Sequence, residues 1–318
     1  MAENREVVKD RMVAMRKPEW LRIKKSGFHD LSISTARVIH DLNLHTVCES
    51  AQCPNKGECF NNRTATFMIL GDICTRNCTF CAVSKDRNRL QNPDVNEPQR
   101  IADAVKELQL DYIVLTMVTR DDLVDGGTDH LIKVIKTIRS RYKTDAEIEV
   151  LVSDLKGECL LIKDILDIKP TVFNHNVETI ARLYPQIRPE ADYQRSLRIL
   201  EFAKEYAPDI PTKSGFMVGL GETDEEIISL MQDLRAAEVN ILTIGQYLAP
   251  SAKHHPVIEF IHPERFKVFR QKALEMGFNE CFSGPFVRSS YKAKDALFLK
   301  KNNLNQKRGS YHANNINR

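Results

Sequence analysis

From residue 65 onward the chain alternates between short, almost unbroken apolar runs and longer stretches whose apolar residues recur every three or four positions. The runs at 65–70, 112–119, 147–153, 171–176, 212–219 and 241–247 read as strands buried on both faces, the habit of parallel sheets. Between them, Ile101, Ala104, Val105 and Leu108 share one helical face. So do Leu131, Val134, Ile135 and Ile138, and again Ile227, Leu230, Met231 and Leu234. Leu161, Ile165 and Ile168 form a weaker face, and Tyr193, Leu197, Leu200 and Ala203 another. Pro98 suits the first turn of its helix, and Thr223 with Glu226 spells a capping box. Strands alternating with helices predict a parallel sheet with right-handed crossovers. Six β/α units would close three-quarters of an eight-unit barrel. The expectation is an α/β fold, a partial (β/α)6 TIM-like barrel over residues 65–262, with reactive groups at the carboxyl ends of its strands.

The flanks lack this rhythm. Residues 1–64 form an N-terminal extension that is polar and basic at its start, with a short helix expected over 34–42, capped by Ser34. Trp20, close to Pro18, reads as the residue that docks this arm on the body. A C-terminal extension, 263–299, carries a helix near 265–276. The tail 300–318 holds five Lys or Arg, no acid and six Asn, and is expected to be disordered. His254 and His255 have no ligand spacing to another His or Cys and read as surface-loop residues.

A formal charge of +3 gives no reason to expect a nucleic-acid partner. No run approaches the roughly 18 apolar residues of a membrane span, and residues 1–10 lack an apolar secretory core. A cytoplasmic location follows as an expectation, and it would keep the eight cysteines reduced.

Six of those cysteines fall in two clusters. Cys74, Cys78 and Cys81 are spaced C-x3-C-x2-C just after the first predicted strand. Cys48, Cys53 and Cys59 are spaced C-x4-C-x5-C in a turn-rich loop upstream. Three thiolates on one loop can hold three corners of a [4Fe-4S] cluster, leaving one iron open to a small molecule. Six thiolates exceed the corners of one cubane, so two clusters is the simpler count. Structural zinc sites favour two C-x2-4-C pairs, which fits neither triplet well. Cys159 and Cys281 have no such neighbours and read as plain buried cysteines.

The C-x3-C-x2-C loop after a first strand resembles the signature of the radical S-adenosylmethionine (SAM) enzymes. That resemblance implies a SAM molecule chelated by the open iron and cleaved to a 5′-deoxyadenosyl radical. Strand ends supply candidate SAM contacts: Asn176 and Glu178 after the fourth strand, and the guanidinium forks Arg188 and Arg195 beyond them. For Glu178, a carboxylate at a helix start is the competing reading. The sequence at 125–127, Asp-Gly-Gly, departs from the Gly-Gly-Glu common in that superfamily. The Gly219-Leu220-Gly221 turn reads as backbone making room for adenosine.

Taken with Lys17-Pro18-Glu19-Trp20-Leu21-Arg22, Asn174-His175-Asn176-Val177-Glu178-Thr179, Gly245-Gln246-Tyr247-Leu248 and Arg288-Ser289-Ser290-Tyr291, the two triplets are similar to the lipoyl synthase family across nearly the whole chain. That resemblance implies a radical SAM sulfurtransferase that inserts two sulfur atoms, at C6 and C8, into an octanoyl chain amide-linked to a lysine of a lipoyl carrier domain. It implies two [4Fe-4S] clusters: the SAM-binding one on Cys74, Cys78 and Cys81, and an auxiliary sulfur donor on Cys48, Cys53, Cys59 and Ser290. Ser289 is the alternative fourth ligand. The implied partners are octanoylated 2-oxoacid dehydrogenase E2 subunits, the glycine cleavage H protein, and an electron donor such as flavodoxin or ferredoxin. The rival readings are a biotin synthase, a methylthiotransferase, a two-cluster electron carrier and a zinc-stabilised binding module.

Overall fold

The computed structural model describes residues 16–22, 30–50, 53, 55–61, 65–290 and 293. The start at 1–10, the tail 300–318 and Tyr291 lie outside the described residues.

Eight strands form one sheet in strict chain order: β1 (His45–Thr46), β2 (Thr66–Ile69), β3 (Tyr112–Met117), β4 (Glu147–Leu151), β5 (Val172–Asn174), β6 (Thr212–Val218), β7 (Ile241–Gln246) and β8 (Glu280–Gly284). From β2 to β8 every neighbour is parallel, and β1 runs antiparallel on the β2 edge. Strands β2 to β7 are the six expected ones, each trimmed by one to three residues. β3 and β7 are buried along their whole length. That is why their sequence shows no alternation. The two outer strands are additions. β8 is only half buried, and its Glu, Ser and Gly residues gave no apolar run. β1 has two residues, too few to show a period.

Five long helices cover the outside of β2–β7: α4 (Glu97–Glu107), α5 (Thr128–Arg141), α6 (Cys159–Asp167), α8 (Tyr193–Tyr206) and α9 (Asp224–Ala236). Between α6 and α8 lies the short α7 (Tyr184–Ile187). In α9 the capping box is complete: Glu226 N donates to Thr223 Oγ1, and Thr223 N donates to Glu226 Oε2 at 2.9 Å. The apolar faces of α4, α5 and α9 are the predicted ones. In α6 the buried side chains are Ile162, Ile165 and Leu166, one step round from the expected face. Ahead of the sheet, α1 spans Asp30–Asp41, so Ser34 sits inside it instead of capping it. α2 (Val47–Ser50) carries Cys48, α3 (Lys56–Asn61) carries Cys59, Cys53 lies between them, and α10 (Pro263–Glu275) leads into β8. Trp20 packs edge-on against His262 with ring centroids 5.0 Å apart, which ties the N-terminal arm to the start of α10.

The concave face of the sheet holds a buried ion pair. Lys213 Nζ on β6 lies 2.9 Å from Glu149 Oε1 on β4, both side chains about 1% exposed. Tyr112 Oη and Asn174 Nδ2 each donate to the same carboxylate at 2.8 Å. Four strands thus meet at one carboxylate, whose lone pairs are satisfied despite burial. Lys213→Met should lower unfolding stability by about 3–5 kcal/mol, because it strands a buried charge. Glu149→Leu/Lys213→Met should regain much of that loss, as read by urea denaturation.

Candidate active site

At the carboxyl ends of the strands lies a cavity of about 500 Å³. The cysteine loop that follows β2 forms one wall. Four of the five residues between its cysteines are tied down by hydrogen bonds. Thr75 N donates to Thr119 O at 2.9 Å, at the end of β3. Arg76 is 4% exposed; it pairs with Asp121 through two nitrogens at 2.7 and 3.0 Å and with Asp154 at 2.6 Å. Asn77 donates from backbone and side chain to Glu190 at 2.9 and 2.8 Å. Thr79 N donates to Ile187 O at 2.9 Å, and Thr79 O accepts from His255 N at 3.0 Å.

Cys74, Cys78 and Cys81 all line the cavity. Burial pushes the Cys78 thiol up, against the pull of Arg188 and with Cys74 adding, and lifts that of Cys81 to about 12, with Cys78 and Cys74 adding. Burial likewise lifts Cys48 to about 11, with Cys53 adding, and Cys59 to about 12, with Cys48 and Cys53 adding. Such thiols ionise only when a cation shares the site, and metal binding then releases their protons. Among the described residues, no three His, Cys, Asp or Glu side chains close tightly enough for a single metal ion. Soft thiolates are the ligands iron–sulfur clusters take, so the donor set of each triplet suits such a cluster.

The upstream triplet faces the same cavity. Cys48 and Cys53 line it, and Cys59 sits just behind them on α3. Cys53 N closes onto Cys48 O at 3.1 Å. The C-terminal segment docks there: Asn55 Nδ2 donates to Phe286 O at 2.6 Å, and Arg288 lies within the field of Cys53. Arg288, Ser289 and Ser290 all line the cavity. Ser289 Oγ is engaged by Asn174 and Asn176, whereas Ser290 enters the cavity beside them.

Asn176, Glu178 and Arg188 also line the cavity. Glu178 is not at a helix start. Its N donates to Gly215 O and its O accepts from Met217 N, which pins it against β6 at φ 66. A non-glycine residue held there costs about 1 kcal/mol or more. Burial raises its carboxyl above the usual range, against the pull of Arg188 and the Asn176 hydrogen bond. Arg188 donates from Nη1 to the carbonyls of Asn176 and Val177 at 3.1 Å, while its Nε is buried with no hydrogen-bond partner among the described residues. A buried cation and a carboxylate in one cavity suit a zwitterionic ligand.

Arg195 does not line the cavity. Its Nε donates to Asp154 Oδ2 at 2.8 Å, so it belongs to the strut behind the cysteine loop. Nor does the Gly219 turn make room for a ligand. A Cβ there would lie 2.3 Å from Gln246 Nε2 and 2.4 Å from Glu259 O, so protein already fills that space. His255 is half-buried against Tyr247, not a free surface residue. Cys281 is buried as expected, but Cys159 is exposed at the start of α6. The sequence reading passed over Arg76, Asp121, Asp154 and His175. Only the position of Arg76 between two clustered cysteines could have signalled it.

The chain matches the radical SAM superfamily model over residues 68–234. Among curated relatives, the lipoyl synthase of Caldicellulosiruptor saccharolyticus is 49% identical over 284 residues, which is 89% of this chain and 98% of that protein. The lipoyl synthase of Dechloromonas aromatica is 51% identical over 278 residues, 87% of this chain and 88% of that one. This chain belongs to the lipoyl synthase family. It is therefore an enzyme of the radical SAM sulfurtransferase class, a class whose domain implies a four-iron cluster and SAM. Solved structures share the fold at low identity. Methylornithine synthase (PylB) matches with a TM-score of 0.51 at 14% identity, covering 83% of this chain and 80% of that one. HydG, a maturase of the [FeFe]-hydrogenase, matches with a TM-score of 0.56 at 14% identity, covering 78% and 62%.

The lipoyl synthase fold keeps one titratable group neutral under the cavity. His175 is fully buried, with Nδ1 2.9 Å from Val152 O and Nε2 3.1 Å from Ser196 Oγ. Burial, then Arg188, lower its pKa from 6.5 to about 4. The unfolded chain takes up this proton near pH 6.5, the folded chain only near 4. Stability from this group is complete above the higher value and is lost as pH falls toward the lower. The loss should reach roughly 3 kcal/mol. Melts between pH 7 and pH 4 should show it, and His175→Gln should flatten the slope.

Proposed function

We propose that this chain is itself a lipoyl synthase: it inserts sulfur at C6 and C8 of an octanoyl chain amide-linked to a lysine of a lipoyl carrier domain. The observation that supports this most is that Cys74, Cys78 and Cys81, Cys48 and Cys53, and the Arg288-Ser289-Ser290 segment all line one cavity, with Cys59 close to Cys48 and Cys53. A lone C-x3-C-x2-C loop would support only the superfamily.

Cys74, Cys78 and Cys81 would hold the SAM-binding cluster; Cys48, Cys53, Cys59 and Ser290 would hold the auxiliary one. When bound, these groups and SAM supply a carbon radical strong enough to take hydrogen from an unactivated C–H bond, and the sulfur that replaces it. The chain's own residues do the rest. Arg188 offers its guanidinium to the methionyl carboxylate, and Glu178 and Asn176 offer acceptors to the amine or the ribose hydroxyls. Apolar side chains such as Met68, Phe216, Met217 and Val287 line the space and keep water from a reactive radical. Ser290 offers a hard oxygen where every other ligand is soft, so its hold on iron is the weakest of the set.

The partners in this reading are octanoylated E2 subunits or the glycine cleavage H protein, with flavodoxin or ferredoxin as reductant, in the cytoplasm. Among the described residues no helix is long and apolar enough to cross a membrane. Anaerobic protein reconstituted with iron and sulfide should carry about eight irons per chain. Given SAM, dithionite and an octanoyl-lysine peptide, it should release 5′-deoxyadenosine, and the peptide should gain two sulfurs. 5′-Deoxyadenosine without sulfur gain would keep the superfamily and reject this activity. Zinc in place of iron would reject both. Ser290→Cys should retain the full iron content yet lose sulfur insertion; undiminished lipoyl product would sink the labile-ligand assignment.

A further inference from the structure

A directed chain of hydrogen bonds runs from the floor of the barrel to the rim of the cavity. At the floor, Lys213 fixes the Glu149 carboxylate. Asn174 Nδ2 donates to Glu149 Oε1 at 2.8 Å and to Ser289 Oγ at 3.1 Å. Ser289 Oγ donates to Asn176 Oδ1 at 2.9 Å, and Asn176 Nδ2 donates to Glu178 Oε1 at 3.0 Å. The polarity of every link is forced. Turning the Asn174 amide over would press its oxygen against a carboxylate, so its nitrogen must face Glu149. Both amide protons are then used, and its Oδ1 is left buried with no partner. Ser289 must receive from Asn174 and spend its single proton on Asn176. Asn176 must then present its nitrogen to Glu178.

We propose that Ser289 is a positioning residue that couples docking of the C-terminal segment to the orientation of Asn176 and Glu178. The adjacent serines divide the work: Ser289 is spent on the carboxylate side, and Ser290, which also lines the cavity, is the one left for the upstream triplet in this reading. This rests on the reading of the cavity as a SAM site. Ser289 is the one link in the chain that does not come from the barrel strands or from the loop that follows β5. Only a docked C-terminal segment completes the chain. Without the hydroxyl, Asn176 Oδ1 loses its donor, and the amide is held only by its bond to Glu178, so both side chains are less firmly oriented.

The test uses the full chain, reconstituted anaerobically, with SAM binding measured by calorimetry and iron by direct assay. Ser289→Ala should bind SAM roughly tenfold more weakly, as expected for loss of one hydrogen bond that orients a charged group. Its iron content and melting temperature should match the parent. Ser289→Thr, which keeps the hydroxyl, should restore affinity. Asn176→Ala should show a comparable loss, and the double variant Ser289→Ala/Asn176→Ala no more than Asn176→Ala alone. Equal SAM affinity in parent and Ser289→Ala overturns the coupling alone, as do fully additive losses. Loss of half the iron from Ser289→Ala would place Ser289 on the triplet and overturn the division. A parent that holds iron but no SAM overturns the functional reading, and the coupling with it.

Discussion

Asp154, a fully buried carboxylate just beyond β4, receives a guanidinium on each oxygen: Arg76 at 2.6 Å and Arg195 at 2.8 Å. Burial alone would drive its proton affinity up. The Arg76 hydrogen bond, with the charges of Arg76 and Arg195, instead holds it well below the usual carboxylate range. It stays charged, and its charge fixes Arg76 in the middle of the cysteine loop. A loop that must present three thiols to one point cannot wander, and backbone bonds to the loops after β3 and β5 alone would leave its centre free. The strut behind it comes from two other units of the barrel, so the loop inherits the rigidity of the sheet. Removing either arginine would leave part of a buried charge unpaired, the costly direction for such an interaction.

The barrel could be read from the sequence because its strands are buried on both faces and its helices on one. Both conditions leave marks in the order of residues: the unbroken run at 112–117 and the spaced face at Leu131, Val134, Ile135 and Ile138. β1 and β8 left no such marks, being short or half exposed. The six cysteines stood out because their spacing is local. The Asp154 strut did not, since Arg76, Asp154 and Arg195 lie 78 and 41 positions apart and only the fold brings them together. Arg195 shows the limit plainly. A guanidinium near a ligand site and one supporting that site look alike in sequence, and only its partner tells them apart.

Glu178 and Gly219 make the same point in opposite directions. The carboxylate had two readings, and the backbone pinned to β6 at positive φ removes the helix-start one. The glycine suggested room for a ligand, but the room is taken by Gln246 and Glu259. A glycine records that something comes close and leaves open whether that is ligand or protein.

The bond from Asn55 to Phe286 joins residues 231 positions apart. Closing so long a loop costs entropy that only a finished barrel between the two ends can offset. β7, buried along its whole length, has β8 as its outer neighbour, and β8 lies only a few residues before Phe286. β8 follows β7 in the chain, so the wall that carries Phe286 and the serines can dock only after β7 has been made. Until β8 docks, β7 is an open, apolar sheet edge, the kind of surface that recruits strands from other molecules. The same short strand that finishes the sheet therefore protects the newborn chain from aggregation and delivers the serines to their places.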